Sequence, residues 1–155
     1  MPRGDTPPAR DDEEPYLGAA FRVRISGTAS ARRTAGVPVA RVEWGPFPVA
    51  QNDLPSTPAL ATGDGLPPAR HVVLCRGVTG ATDLVDWWRA ERAPKRSADR
   101  TVAVELLDPA SGAPVLTWTF RGCRVVQLSH SPLEALVATV ITESLVFEYA
   151  DVDID

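Results

Sequence analysis

Cysteine is scarce in this chain: Cys75 and Cys123 are the only two in 155 residues, far apart and with no C-x-x-C. That rules against a disulfide-stapled scaffold. Histidine is equally rare, with His71 and His130 alone, so a metal site lacks both ligands and ligand spacing. Two cysteines inside strand-like segments fit buried small apolar side chains and a reduced, cytoplasmic history. Lysine occurs once, at Lys95, and the net charge is −4. The dense cationic patch that nucleic-acid binding needs is missing, and no specific nucleic-acid recognition is expected. No apolar run approaches a membrane span. The opening MPRGDTPPARDDEEPY has no apolar core of a signal peptide, so neither a membrane anchor nor export is expected, and assembly is placed in the cytoplasm.

What is abundant is chain punctuation. Fifteen prolines and 11 glycines imply many turns and interrupted strands. The length fits a single domain with a real core. Three segments follow from composition: a flexible N-terminal arm over 1–15, a folded domain over 16–150, and an acidic C-terminal tail over 151–155.

Alternation of apolar and polar residues marks the strands. Phe21, Val23 and Ile25 alternate with Arg22, Arg24 and Ser26 until Gly27, and Val37 to Trp44 alternates again until Gly45-Pro46. Gly45 to Pro68 then dissolves into a proline-rich loop, long enough to point to function or to order against neighbours. Gly63-Asp64-Gly65 within it is turn chemistry, because no helix start follows to make a phosphate cradle. Thr101–Leu107 and Val115–Phe120 make a hairpin about Asp108-Pro109-Ala110-Ser111-Gly112. Gly122 interrupts, Cys123–Leu128 resumes, and Leu133–Ala138 reads as a loop or a short helical turn. Thr139 to Tyr149 is the longest strand, with Ile141, Glu143, Leu145, Phe147 and Tyr149 on one face.

One stretch breaks the β pattern. Arg70–Val78 is a strand that stops at Gly77 and Gly80, and a helix follows with Thr82 as N-cap. Asp83 and Asp86 suit its positive end, and Arg89, Arg92 and Lys95 its negative end. Ala81, Leu84, Val85 and Trp88 fall on one arc, with Trp87 to one side. Both indoles are expected to cover a sheet. The total is a mainly β fold, an antiparallel sandwich or barrel of about seven strands with one flanking α-helix.

Catalytic chemistry finds little footing. Ser129-His130-Ser131 are neighbours on a turn, which cannot alone form a triad, and His71 is the only other imidazole base. Asp83 and Asp86 suit a helix start, and Asp151, Asp153 and Asp155 a solvated tail. No catalytic, cofactor-binding or metal-ligating residue is expected.

Taken together, LCRGVTGATDLVDWW, VELLDPASGAPVLTWTF and the closing TESLVFEY resemble the tail-tube protein family of T4-like contractile phages and related contractile injection systems. The shared pattern is a strand ending in Arg76-Gly77-Val78, a helix carrying Leu84, Trp87 and Trp88, and a hairpin with Leu107-Asp108 at its turn and Trp118 in its return strand. A Glu-bearing strand, Glu143 to Tyr149, closes it, and Pro15-Tyr16 before Phe21-Arg22-Val23 is similar to the family's start. The family's pattern departs at Leu66-Pro67-Pro68, at Cys75 and in the first hairpin, so a tube-initiating, baseplate-proximal paralogue stands as an alternative. The resemblance implies a structural subunit whose hexameric rings stack into a hollow conduit. Implied partners are further copies of the chain, a sheath protein outside, baseplate and spike proteins, and DNA or a protein effector in the lumen. The hairpin at 101–120 and the last strand are then the inner-sheet candidates, with the helix outside. A monomeric β-sandwich binding module is the rival from a different class.

Overall fold

The computed structural model describes residues 15–18, 20–27, 36–49, 67–95 and 98–155. The expectations for the arm up to residue 14, for 28–35 and for 50–66 lie outside the described residues.

The chain forms β1 (Phe21–Ile25), β2 (Arg41–Trp44), β3 (His71–Gly77), α1 (Asp83–Arg92), β4 (Arg100–Leu107), β5 (Pro114–His130), β6 (Thr142–Glu148) and β7 (Asp151–Ile154). Every pairing is antiparallel, in the order β1-β4-β5-β6-β3-β2, with β7 also against β5. Among the described residues the fold is mainly β with one helix, as the alternation requires.

β5 joins two layers. The sequence reads Gly122 as a break, whereas the strand runs through it and turns a corner. Its first part pairs with β4 and with β7, and its second part, from Arg124, pairs with β6. The front layer is therefore β1-β4-β5-β7, and the back layer is β5-β6-β3-β2. At the corner Gly122 takes φ 66°, and the β4 register slips between Arg100 and Val102. Irregularities of this kind let one strand serve two sheets. A Cβ on Gly122 would sit 2.8 Å from the Ala150 Cβ. Gly122→Val should therefore lower stability by about 1–3 kcal/mol. An unchanged urea midpoint would contradict this account of the corner.

Two expectations at the C-terminal end are corrected. The last strand begins at Thr142, not at residue 139, because its partners β3 and β5 stop at Gly77 and His130. The acidic tail is a strand: β7 pairs from Trp118↔Ile154 to Arg121↔Asp151. Asp155 and Thr117 then exchange both backbone hydrogen bonds, at 2.9 and 3.0 Å. Alternation explains this, since Val152 packs against the core while Asp151 and Asp153 face water.

Between the layers lie Val23, Ile25, Val72, Leu74, Val102, Leu145, Phe120 and Phe147. α1 lies against β5 and reaches both layers through Trp87, which contacts Phe147 of β6 (5.6 Å between centroids) and sits under the Arg100 guanidinium of β4. Here the helical arc is corrected. Leu84 and Trp87 are the fully buried pair, and Trp88 is half-buried beside Arg92. Thr82 occupies the N-cap position without capping, because its hydroxyl donates to Asp86 Oδ2 at 2.8 Å.

Candidate functional site: ion pair, cleft and loop

The residues of the strand-to-helix stretch meet around one buried charge. Arg76 and Glu143 are 4% and 3% exposed. Arg76 Nε donates to Glu143 Oε2 at 2.8 Å, and Nη2 donates to the Ala81 carbonyl at 3.0 Å. Nη1 donates to the Pro38 carbonyl at 3.4 Å and lies 3.9 Å from Asp83 Oδ2. One guanidinium thus ties β3 to β6, to the entry of α1 and to the strap before β2. A buried charge persists only when its hydrogen-bonding capacity is met in this way. Sequence reasoning put Glu143 on the apolar face of the last strand but did not name it as the partner of Arg76. The signal was there: an acid among Ile141, Leu145 and Phe147 needs a buried cation.

Gly77 ends β3 at this junction, and Leu84 and Trp87 of α1 are fully buried. Asp108 and Trp118 lie elsewhere, at the β4–β5 hairpin. Asp108 closes the turn: its carboxylate accepts from the Ala110 N–H at 2.9 Å and its carbonyl from the Gly112 N–H at 2.7 Å. Trp118 crosses between layers to Trp44, 4.8 Å between centroids. From there Phe120, Phe147 and Trp87 continue a chain of ring contacts back to the helix.

Trp44 and Trp118 also mark a seam. The segment leading into β2 touches β1 at a single bridge, where the Val37 N–H donates to the Val23 carbonyl at 2.8 Å. Beyond that bridge β1 and β2 are not paired among the described residues, so the two layers stay unlaced there. The gap is a cleft of about 340 Å³, lined by Phe21, Val42, Trp44, Leu106 and Trp118, with Tyr16 and Arg41 at its border. Gly45 lies close by with Pro67 and Pro68 against it; a Cβ there would be 2.3 Å from the Pro67 carbonyl. The proline-rich loop therefore leaves and returns beside the cleft.

A second apolar feature is the connection from β5 to β6. Sequence reading left Leu133–Ala138 as loop or helical turn, and residues 131–141 are an irregular loop. Leu133 is 82% exposed, Val140 is 76% exposed and Leu136 is fully exposed, with Val137 half so. Leu136 holds φ at 73°, in the left-handed region that non-glycine residues avoid.

The residues weighed for catalysis are engaged otherwise. His130 Nε2 lies 3.1 Å from Glu143 Oε1, on the side of that carboxylate away from Arg76. Ser131 Oγ accepts from the Thr142 N–H at 2.9 Å. His71 lies at the other end of the back layer, its Nδ1 3.0 Å from the Ala69 carbonyl. Cys123 is buried, and burial pushes its thiol up to about 12. The folded state holds that proton more tightly than the unfolded state. The stability it contributes is complete below the ordinary value of 9.0 and falls as pH climbs toward 12. In a Cys75→Ser variant at pH 8, a thiol reagent should modify Cys123 orders of magnitude more slowly in buffer than in urea, since the thiolate is the reactive form. Equal rates would contradict the burial.

No helix among the described residues is long and apolar enough to cross a membrane. No curated protein sequence matches the chain. Among solved structures the chain is similar to one in the sheath-tube complex of an extracellular contractile injection system, PVC, in the extended state. That match has a TM-score of 0.64 and 16% identity over 93% of each chain. It is also similar to one in the baseplate of the anti-feeding prophage, with TM-score 0.63 and 21% identity over 92% of this chain and 96% of that one. Hcp1 from Flavobacterium johnsoniae follows at TM-score 0.54 and 14% identity, over 87% and 94%. These likenesses establish the fold. The family model described as T4-like virus tail tube protein gp19 matches residues 64–153, the span that holds the Arg76–Glu143 pair, α1, the hairpin and most of β7. The chain belongs to that tail tube family and is a structural subunit of an inner tube.

Proposed function

We propose that hexameric rings of this chain stack head to tail into a hollow conduit, within a phage tail or a contractile injection particle assembled in the cytoplasm. The observation that carries the reading is the state of the sheet edges. Among the described residues β7 and β2 each pair on one side only, and β1 meets its second neighbour at a single bridge. Unpaired edges invite association, and a protein that keeps several of them has a use for neighbours. Closure by rotation gives the ring, and an open heterologous contact along the axis gives the stack.

In this arrangement the domain over 16–150 with β7 is the building block. The arm over 1–15 and the loop from Gly45 to Pro68 reach adjacent copies or a surrounding sheath. The hairpin at 101–120, in the front layer, faces the lumen, whereas the last strand, the other inner-sheet candidate, sits in the back layer away from it; α1 lies outside. Baseplate and spike proteins meet one end of the tube, and DNA or a protein effector occupies the lumen. The role is structural and asks for no turnover or cofactor. Negative-stain microscopy of the purified full chain tests it: rings or tubes are expected. A field of monomers under every condition would defeat it.

A further inference from the structure

The cleft and the exposed loop are complementary features of one chain. The loop leaves the back layer where β5 ends and β6 begins, at the row His130↔Glu143. The cleft opens beside β2, two strands beyond β6 in the same layer, and level with the row that joins Trp44, Val72 and Phe147. Within one copy the loop stands in solvent, with Leu133 and Leu136 pointing away from any core. Leu133, Leu136, Val137 and Val140 are all exposed within eight residues of sequence, and exposed apolar patches on a folded surface mark contact sites. The left-handed backbone at Leu136 is unfavourable in isolation, and strain of that kind persists at sites where a partner uses it.

We propose that Leu133 and Leu136 of one copy dock in the Trp44–Trp118 cleft of the next. The pocket fits the occupant. An apolar cavity of about 150 Å³ admits a benzene ring, so 340 Å³ has room for two leucine-sized side chains. Chemistry agrees as well, since Phe21, Val42, Trp44, Leu106 and Trp118 offer an apolar, aromatic wall with one cation, Arg41, at its border. Because the two patches differ and lie on different parts of the surface, the contact is heterologous: each copy gives its loop to one neighbour and its cleft to the other. Such a contact propagates without limit or closes a ring, whereas the same two patches exchanged reciprocally between two copies would stop at a closed two-fold dimer. This inference rests on the tube reading above and specifies one of its joints.

The test mixes two full-length variants, Leu136→Cys and Val42→Cys, each with Cys75→Ser, under the conditions in which wild type assembles. Oxidation should link the mixture into a dimer on a non-reducing gel, while neither variant alone links. In parallel, Leu133→Asp/Leu136→Asp should keep the wild-type melting curve of the dissociated chain, because both side chains are exposed, and should lose assembly. Wild-type-like assembly by the double aspartate variant, or assembled mixtures that do not link, would overturn the docking and leave the tube reading intact. Wild type that stays monomeric overturns the tube reading and the docking with it.

Discussion

Arg76→Met is expected to cost about 3–5 kcal/mol, the range for removing one partner of a buried ion pair. The loss has two sources. Glu143 would keep only His130 at 3.1 Å, with its other oxygen stripped of the guanidinium that satisfies it. The Ala81 and Pro38 carbonyls would lose a donor at the same time, which loosens the entry to α1 and the strap before β2. A double variant, Arg76→Met/Glu143→Leu, removes the stranded charge and should cost less than the sum of the two single changes by more than about 1 kcal/mol. Urea denaturation of all four proteins reads this directly. A single-variant cost under about 1 kcal/mol would show that the pair does not organise the junction.

Trp87→Ala is the second large effect, expected at about 3–5 kcal/mol by loss of buried area and the cavity left behind. Trp87 is fully buried, stacks toward Phe147 and lies under Arg100, so no neighbour is free to fill the space. At this length each kcal/mol moves the melting temperature by roughly 2–4 °C. Trp87→Phe should be far milder. It keeps an aromatic ring against Phe147 and removes an indole N–H that has no hydrogen-bond partner among the described residues. Equal losses in the two variants would contradict a packing role. The adjacent Trp88, half-buried with Arg92 4.5 Å from its ring, gives a control whose truncation costs less.

The contrast between these two indoles shows where sequence reasoning stops. A 3.6-residue period defines an apolar stripe on α1, yet which side of the stripe faces inward depends on the sheet beneath. Phe147 and Arg100, distant in sequence, select Trp87. The strands were legible for the opposite reason, since period-two alternation is a local property: Val23 and Ile25 are buried in β1, and Leu145 and Phe147 in β6. β7 was missed because five residues of alternating acid and apolar type look like a solvated tail until a partner strand is known. Gly122 misled in a similar way. A glycine in a strand pattern signals a break or a corner equally well, and only the change of partners along β5 distinguishes them. The cleft could not be read at all, because it is lined by side chains of β1, β2, β4 and β5 that only the tertiary fold brings together. The exposed loop could have been found from LEALVATVI, whose apolar residues keep neither period to the end.

For the family assignment, the informative stretch was the one that folds around Arg76. Its residues build the junction between β3, β6 and α1, and their role is to fix the shape of the subunit. In the proposed assembly, contact with neighbours falls instead to the strand edges, the cleft and the loop.

Sedimentation velocity on the purified full chain, over a wide concentration range, tests that division of labour most directly. The account predicts a species of six times the 16.6 kDa chain, with larger stacks as concentration rises. A single species at 16.6 kDa throughout would contradict it.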